Sequence, residues 1–176
     1  MKEMEQLKRN FVRTGKVEWI GLRPAKGQAM SAVLQANAHA GISLEGDRAA
    51  SNSGSKRQIT LFQSEYLAVL QSFLPAVNIS AALLRRNIVI SGINLNALLK
   101  QTIVIGDVQL EITGFCHPCK KIEEQLGLGV FNALCGHGGL TAKILSSGAI
   151  RVGDALEVCL KEASGENLED TQGRLL

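Results

Sequence analysis

Residues 111–143 read EITGFCHPCKKIEEQLGLGVFNALCGHGGLTAK, and this stretch carries the strongest structural and chemical signals of the chain. Apolar and β-branched residues lead into the sequence CHPC at residues 116–119. A short helical pattern follows, and then a glycine-rich segment that contains Cys135 and His137. The stretch predicts a strand that ends in a rigid proline turn with two thiols, which makes this turn the first candidate for chemistry.

Short strand patterns precede this stretch. Residues 16–21 alternate between polar and apolar side chains, which is typical of a half-buried strand. Residues 29–35 form a second strand pattern, and residues 57–62 and 87–91 predict buried strands. The Ser/Gly-rich residues 51–56 predict an exposed loop between them.

A small internal repeat predicts two sharp corners. In each copy an apolar run, a Gly-Asp pair and a second apolar run follow one another, and the pairs are Gly106-Asp107 and Gly153-Asp154. Glycine tolerates positive φ, and aspartate can accept hydrogen bonds from the turn backbone. Each pair therefore predicts a tight corner between two strands.

Helical patterns are brief by comparison. Ser64 and Ser80 would cap short helices over residues 64–72 and 81–84. Many short strands at close spacing, glycine turns and few helices favour a mainly β fold, a closed β-barrel with a few short helices. A doubly wound parallel sheet would require long helices between the strands.

Length and composition predict one domain. A chain of 176 residues with 45% hydrophobic residues can bury a core of its own. The domain is expected over residues 16–160. An N-terminal extension, residues 1–15, precedes it and has a helical pattern over residues 1–14. A polar and mobile tail, residues 161–176, follows it.

The charge pattern argues against nucleic acid and membranes as partners. The net charge is +3, basic residues are dispersed, and aromatic residues make up 4%, so base-stacking platforms are not expected. No apolar stretch reaches the roughly 18 residues of a membrane-spanning helix. The charged N-terminus lacks the apolar core of a signal peptide. We therefore expect a cytoplasmic protein with reduced thiols.

The thiols of residues 116–119 leave three interpretations open. With Cys135 and His137 they would supply four zinc ligands, although a single residue separates the second pair. Alternatively, Cys119 acts as a soft ligand of a heavier metal or as a nucleophile. Buried structural thiols are the third interpretation. That interpretation fits Cys159, which lies within a strand pattern, better than it fits Cys116 and Cys119, which flank a His-Pro pair.

Several basic residues lie at strand ends or turns rather than on a helical face. If their guanidinium groups converge, they are suited to bind phosphate and the edge of a planar heterocycle. The sequence leaves open whether they converge, since solvated arginines are the usual alternative. These residues are Arg23, Lys26, Arg48, Lys56, Arg57, Arg85 and Arg86.

Five motifs follow one another in a recognisable order. They are Gly46-Asp47-Arg48, Arg85 through Gly92, Ile105-Gly106-Asp107, Cys116-His117-Pro118-Cys119, and Gly138-Gly139-Leu140 through Gly153-Asp154. Together they resemble the MOSC domain, the C-terminal module of molybdenum cofactor sulfurases, over residues 17–158. The resemblance implies a β-barrel of the pyruvate-kinase type and a site for molybdenum cofactor (molybdopterin), a phosphate-bearing pterin dithiolene.

The resemblance also implies roles for individual residues. By analogy with the mitochondrial amidoxime-reducing component, Cys119 would be the molybdenum ligand and the catalytic residue. Arg86 stands where that protein has proline, and Ala49 stands where many MOSC proteins have histidine. The residues that would bind the cofactor are Arg23, Arg48, Arg57, Arg85, Asn87, Cys116 and His117.

Three functions follow from these expectations. In the first, a stand-alone MOSC protein binds molybdenum cofactor through Cys119 and reduces N-hydroxylated bases or amidoximes, with a small-molecule substrate and an electron-transfer partner. In the second, Cys119 carries a persulfide supplied by a pyridoxal-phosphate cysteine desulfurase. In the third, the chain is a zinc-stabilised binding protein without catalysis.

Overall fold

The structure is a computed structural model that describes residue 7 and residues 10–159. The helix predicted over residues 1–14 lies largely outside these residues, and residues 11–14, which are described, form no regular element. The predicted polar tail, residues 161–176, lies wholly outside them. Among the described residues, no helix combines the length and the apolar character that crossing a membrane requires.

Strands dominate the described part of the chain. The α-helices are α1 (Glu65–Phe73), α2 (Lys120–Leu126) and α3 (Val130–Ala133), and two 3-10 helices span Arg48–Ser51 and Leu95–Leu98. The strands are β1 (Gly15–Leu22), β2 (Ser31–Val33), β3 (Gln35–Ala38), β4 (Ile59–Gln63), β5 (Ile88–Ser91), β6 (Thr102–Ile105), β7 (Val108–Phe115), β8 (Leu140–Ile144), β9 (Gly148–Arg151) and β10 (Ala155–Cys159).

Seven of these strands form a closed barrel. The hydrogen-bonded order is β10-β6-β7-β8-β4-β5-β1, and β1 pairs with β10 to close it. Strands β4 and β5 are parallel, whereas the other barrel pairs are antiparallel. Strand β2 extends the sheet from β1, and β3 with β9 forms a separate two-stranded ribbon. The predicted mainly β fold with a closed barrel and few helices is confirmed.

The inside of the barrel holds the main apolar core. Val17 and Ile20 of β1, and Ile103 and Ile105 of β6, are fully buried in one cluster with residues from every other barrel strand. Side chains two apart along a strand point to the same face, so the alternation of apolar residues selects this inner face. A shift of register between Val17 and Trp19 in β1 accommodates both inward residues on a strongly bent strand.

A second apolar cluster lies on the outer face of β4 and β5. Phe62 of β4 and Val89 of β5 pack against Leu70 of α1, Ile122 of α2 and Val130 of α3. Because helices cover these two strands, both of their faces are buried, and residues 59–62 and 88–90 are buried without interruption, with Thr60 as the one polar residue among them. This packing anchors α2, the helix that begins directly after Cys119.

Most predicted elements form where expected, but both predicted serine caps are wrong. Ser64 has helical backbone angles and makes no capping bond with its side chain. Residues 81–85 form a turn instead of a capped helix. Arg85 ends this turn with φ 55, in the left-handed region, so a right-handed helix cannot continue through it. The strand predicted over residues 29–35 is split between β2 and β3, because the backbone bends at Leu34.

The two Gly-Asp corners are confirmed, and they pack against each other. Gly106 and Gly153 have φ values of 56 and 96. The Asp154 carboxylate accepts a 2.7 Å hydrogen bond from the Arg151 backbone N–H, as expected for an aspartate that stabilises its own turn. A side chain at Gly106 would lie against Asp154 Oδ2 and 2.9 Å from the Ala149 carbonyl oxygen, whereas the space beside Gly153 is open.

Gly106→Ala is therefore expected to destabilise the protein more than Gly153→Ala. Both substitutions put alanine at positive φ, which costs about 1–2 kcal/mol. At Gly106 the added methyl group also overpacks the contact between the corners, for a further cost of about 1 kcal/mol or more. Urea unfolding of the two variants measures the difference in the free energy of unfolding, and equal losses would contradict this packing.

Candidate functional site

Four segments that are distant in sequence enclose a cavity of about 690 Å³. They are the loop after β1 (residues 23–27), residues 48–57, the turn before β5 (residues 84–86) and residues 116–125. This volume falls within the range of about 300–1,000 Å³ that is typical of small-molecule sites. Basic side chains dominate its wall: Arg23, Lys26, Arg48, Arg57, Arg85, Arg86 and Lys121.

A buried carboxylate, Asp47, organises one side of this cavity. It accepts three hydrogen bonds from Arg23, from the backbone N–H, Nε and Nη2, at 2.9, 3.0 and 2.9 Å. It accepts two more, from the Ala49 backbone N–H at 2.9 Å and from Asn87 Nδ2 at 2.8 Å. Bidentate guanidinium–carboxylate pairing of this kind fixes the orientation of both groups. The Arg23 side chain is thus held in place and its charge is neutralised.

Asn87 connects this ion pair to the barrel. Its Oδ1 accepts hydrogen bonds from Arg23 Nη2 at 3.1 Å and from the Thr60 hydroxyl at 2.8 Å. Its Nδ2 also donates to the Gly21 carbonyl at 3.1 Å. The amide therefore joins β1, β4 and the start of β5 beneath the cavity. Asn87 is fully buried and does not line the cavity, so the structure places this predicted cofactor-binding residue behind Arg23.

The ion pair sets the protonation of Asp47. Burial by itself would raise the pKa of this carboxyl group. The hydrogen bonds from Arg23 and Ala49, together with the charge of Arg23, outweigh burial, and the pKa lies below its ordinary value. Asp47 is accordingly ionised at neutral pH.

Two thiols of different accessibility also line the cavity. Cys116 is buried, with 5% exposure, and its backbone N–H donates to the Gly139 carbonyl at 2.8 Å. Gly138 packs so closely that a side chain there would overlap the Cys116 carbonyl oxygen. Cys119 is exposed and lines the cavity at the residue before α2. The two glycines thus permit the close packing that positions the thiol-bearing turn.

Arg86 joins this wall to the turn before β5. Its Nε donates to the Gly138 carbonyl and its Nη1 to the Leu84 carbonyl, each at 2.8 Å. Burial lowers the pKa of the Arg86 guanidinium, and the charges of Arg23 and Arg57 lower it further. Arg86 is one of the basic residues that the sequence places at a strand end or turn, although the resemblance implies no role for it in cofactor binding.

The structure brings most of the predicted site residues together. Lys26 and Arg86 line the same cavity, whereas Lys56 does not. His117 reaches the cavity and its ring lies 6.2 Å from that of Phe115. The predicted residues that line the cavity are Arg23, Arg48, Arg57, Arg85, Cys116, His117 and Cys119.

The predicted zinc site is wrong. No three His, Cys, Asp or Glu side chains among the described residues are close enough to hold a metal ion, and all four predicted ligands are described. His137 instead packs edge-on against Tyr66, with ring centroids 4.4 Å apart. Cys135 Sγ donates to the Phe131 carbonyl at 3.4 Å. These contacts with Tyr66 and Phe131 turn His137 and Cys135 away from Cys116 and Cys119.

The family model of the MOSC domain matches residues 48–157. This range includes three of the four segments that form the cavity: residues 48–57, 84–86 and 116–125. The chain belongs to the MOSC domain family. No curated protein is significantly similar to it in sequence.

Solved structures of low sequence identity share the MOSC fold seen here. YuaD from Bacillus subtilis has a TM-score of 0.70 at 20% identity, covering 83% of this chain and 96% of that one. YiiM from Geobacillus stearothermophilus has a TM-score of 0.68 at 16% identity, covering 85% and 77%. YiiM from Escherichia coli has a TM-score of 0.65 at 14% identity, covering 84% and 71%. At these identities the likeness establishes the fold alone.

Asp47→Asn should destabilise this MOSC protein by about 3 kcal/mol or more, because it leaves the Arg23 guanidinium buried without its counter-charge. Glu45→Gln is the matched control, since Glu45 is an exposed carboxylate two residues away. We expect the control to change the free energy of unfolding by about 0.5 kcal/mol at most. Urea unfolding at neutral pH measures both.

The same variant tests the pH dependence of stability. Because the pKa of Asp47 is lowered in the folded state, its contribution is complete above the unfolded value of about 3.9. That contribution is lost as the pH falls through the lower, folded value. The stability difference between the wild type and Asp47→Asn should therefore shrink in acid. A difference that stays constant from pH 7 to pH 2 would contradict this assignment.

Proposed function

We propose that this MOSC protein binds molybdenum cofactor in the cavity through Cys119 and reduces N-hydroxylated small molecules. One observation carries the proposal: an exposed thiol and seven basic side chains line the same cavity. The soft thiol suits a metal in a sulfur-rich environment, and the cations suit an anionic, phosphate-bearing pterin.

The residues present fit such a cofactor in size and charge. The cavity wall contains one carboxylate, Glu124, and that group is exposed and lies 3.6 Å from Lys120. Arg85 is fixed by a hydrogen bond of 2.7 Å from its Nη1 to the Gln28 carbonyl, which brings it to the loop that carries Lys26. Lys26, Arg48 and Arg85 would hold the phosphate. Arg23, which is paired with Asp47, would contact the pterin.

Cys119 would be the metal ligand, with Cys116 and His117 against the cofactor. Bound molybdenum would supply the two-electron redox chemistry. In the overall reaction the N–O bond of the substrate breaks, two electrons and two protons are taken up, and an N–H bond and water are formed. An electron-transfer partner would supply the electrons. His117 lines the cavity and provides an imidazole that can transfer a proton there.

A second function, sulfur transfer, is supported by the exposure of Cys119 alone. An accessible thiol can receive a sulfane sulfur from the persulfide of a pyridoxal-phosphate cysteine desulfurase and carry it as its own persulfide. The expected cytoplasmic location, where thiols are kept reduced, is compatible with both functions. The basic wall of the cavity favours cofactor binding, because persulfide transfer has no need of seven cations.

Cys119→Ser should abolish molybdenum binding and N–O reduction. The protein is purified without a metal-binding tag from cells supplied with molybdate, and its molybdenum content is measured by elemental analysis. We expect about one molybdenum per wild-type chain and none in Cys119→Ser. Cys135→Ser is the matched control, since Cys135 is also exposed but does not line the cavity, and it should keep the metal.

Reduction of benzamidoxime with a chemical electron donor is then measured on the same samples. Activity should follow the molybdenum content of each variant. Full activity in molybdenum-free protein, or an equal molybdenum content in Cys119→Ser, would refute the proposal.

The sulfur-transfer alternative predicts a different product on Cys119. After incubation with a cysteine desulfurase and cysteine, mass spectrometry should find an added mass of about 32 Da, one sulfur, on the peptide that contains Cys119. The Cys119→Ser variant should lack it. Absence of this adduct in the wild type would exclude sulfur transfer and leave cofactor binding as the remaining function.

A further inference from the structure

Arg57 and Arg86 both line the cavity close to Cys116. Arg57 Nη2 lies 4.0 Å from Cys116 Sγ. Arg86 is bonded to the Gly138 carbonyl, and Gly138 packs directly on the Cys116 backbone. Two other arginines of the cavity are held by other partners: Arg85 donates to the Gln28 carbonyl, and Arg23 is paired with Asp47. Arg57 and Arg86 therefore both lie against the part of the cavity wall that contains Cys116.

This region lacks a counter-charge. Among the described residues, neither Arg57 nor Arg86 forms an ion pair with a carboxylate. The pKa of Arg86 is lowered first by burial, and the charges of Arg23 and Arg57 lower it further. Like charges held together at a partly buried site cost free energy unless an anion lies between them. An anionic ligand at this place would remove that cost.

The hydrogen-bonding groups for such a ligand are free. A guanidinium has five N–H groups, and Arg86 uses two of them, at Gly138 and Leu84. The remaining N–H groups of Arg86 have no partner in the described part of the chain. Both side chains line the cavity, so their free N–H groups can donate to a ligand that enters it. Fixed guanidinium groups bind carboxylate and phosphate oxygens with matching geometry.

We propose that Arg57 and Arg86 form an anion subsite beside Cys116, in the cavity that Cys119 also lines, and that this subsite binds an acidic group, a carboxylate or a phosphate, of the substrate. The proposal rests on the proposed function for the reaction itself and adds the substrate class: N-hydroxylated compounds that carry an acidic group should be preferred over neutral ones. It also assigns Arg57 to the substrate rather than to the cofactor.

Charge-selective alkylation of the metal-free protein tests the subsite. Iodoacetate is an anion and iodoacetamide is neutral, and both alkylate the same thiol. The ratio of their rates at Cys119, measured by peptide mass spectrometry, therefore cancels the reactivity of the thiol. The subsite should raise this ratio at Cys119 above that at Cys135, which is exposed outside the cavity lining and serves as an internal control.

Arg57→Gln and Arg86→Gln should each lower the ratio at Cys119 by about fivefold, as expected for the loss of one nearby charge. Arg86→Lys, which keeps the charge, should retain most of the preference. Arg48→Gln removes a charge from the same cavity at a residue that makes no hydrogen bond to Cys116 in the described part of the chain, and it should change the ratio by less than about twofold. Because Arg57 is exposed, its variant is expected to fold even if Arg86→Gln does not.

Competitors then identify the acidic group. Inorganic phosphate and benzoate are each added to the wild-type protein during alkylation with iodoacetate. Protection by phosphate alone indicates a phosphate-bearing substrate, protection by benzoate alone a carboxylate, and protection by both a site for either group. An unchanged ratio in Arg57→Gln, or no protection by either anion, would overturn the proposal. The protein contains no molybdenum in this experiment, so the result is independent of metal binding by Cys119.

Discussion

The buried ion pair between Asp47 and Arg23 is the interaction on which the rest of the site depends. Five hydrogen bonds converge on the Asp47 carboxylate, and Asn87 carries the connection to β1, β4 and β5. The pair thereby fastens the loop after β1 and the 3-10 helix Arg48–Ser51 to the barrel. A carboxylate with this many donors remains ionised although it is buried, and its loss would leave an unpaired guanidinium in the protein.

Asp47 neutralises the charge of Arg23 within the protein, whereas the other basic residues of the cavity face its open space. Four of them are exposed, Lys26, Arg48, Arg57 and Lys121, whereas Arg85 and Arg86 are fixed by backbone carbonyls. Prefixed guanidinium groups lose little entropy when they bind an anion, so they contribute to affinity more than mobile lysines do. The site thus combines the buried Asp47 carboxylate behind the cavity wall with the fixed guanidinium groups of Arg85 and Arg86 at the cavity surface. This arrangement is suited to a large, multiply charged ligand.

The barrel was predictable from the sequence because its signals are local. The alternation in β1, the largely apolar runs of β4 and β5, and the Gly-Asp corners each reflect the conformation of a few neighbouring residues. The convergence of the arginines was open, since the cavity is built from four segments far apart in the chain. The role of Arg86 and the burial of Asn87 depend on long-range contacts with Gly138 and Thr60. The zinc hypothesis failed for the same reason, because ligand spacing says nothing about His137 packing on Tyr66.

The most direct test of the account is anomalous X-ray diffraction from crystals of the protein reconstituted with molybdenum cofactor. Difference maps recorded on either side of the molybdenum absorption edge locate the metal independently of any activity. The account predicts one strong peak in the cavity, within bonding distance of Cys119 Sγ, with the pterin phosphate against Arg48 and Arg85. A cavity without a molybdenum peak, or a peak bound away from Cys119, would contradict it.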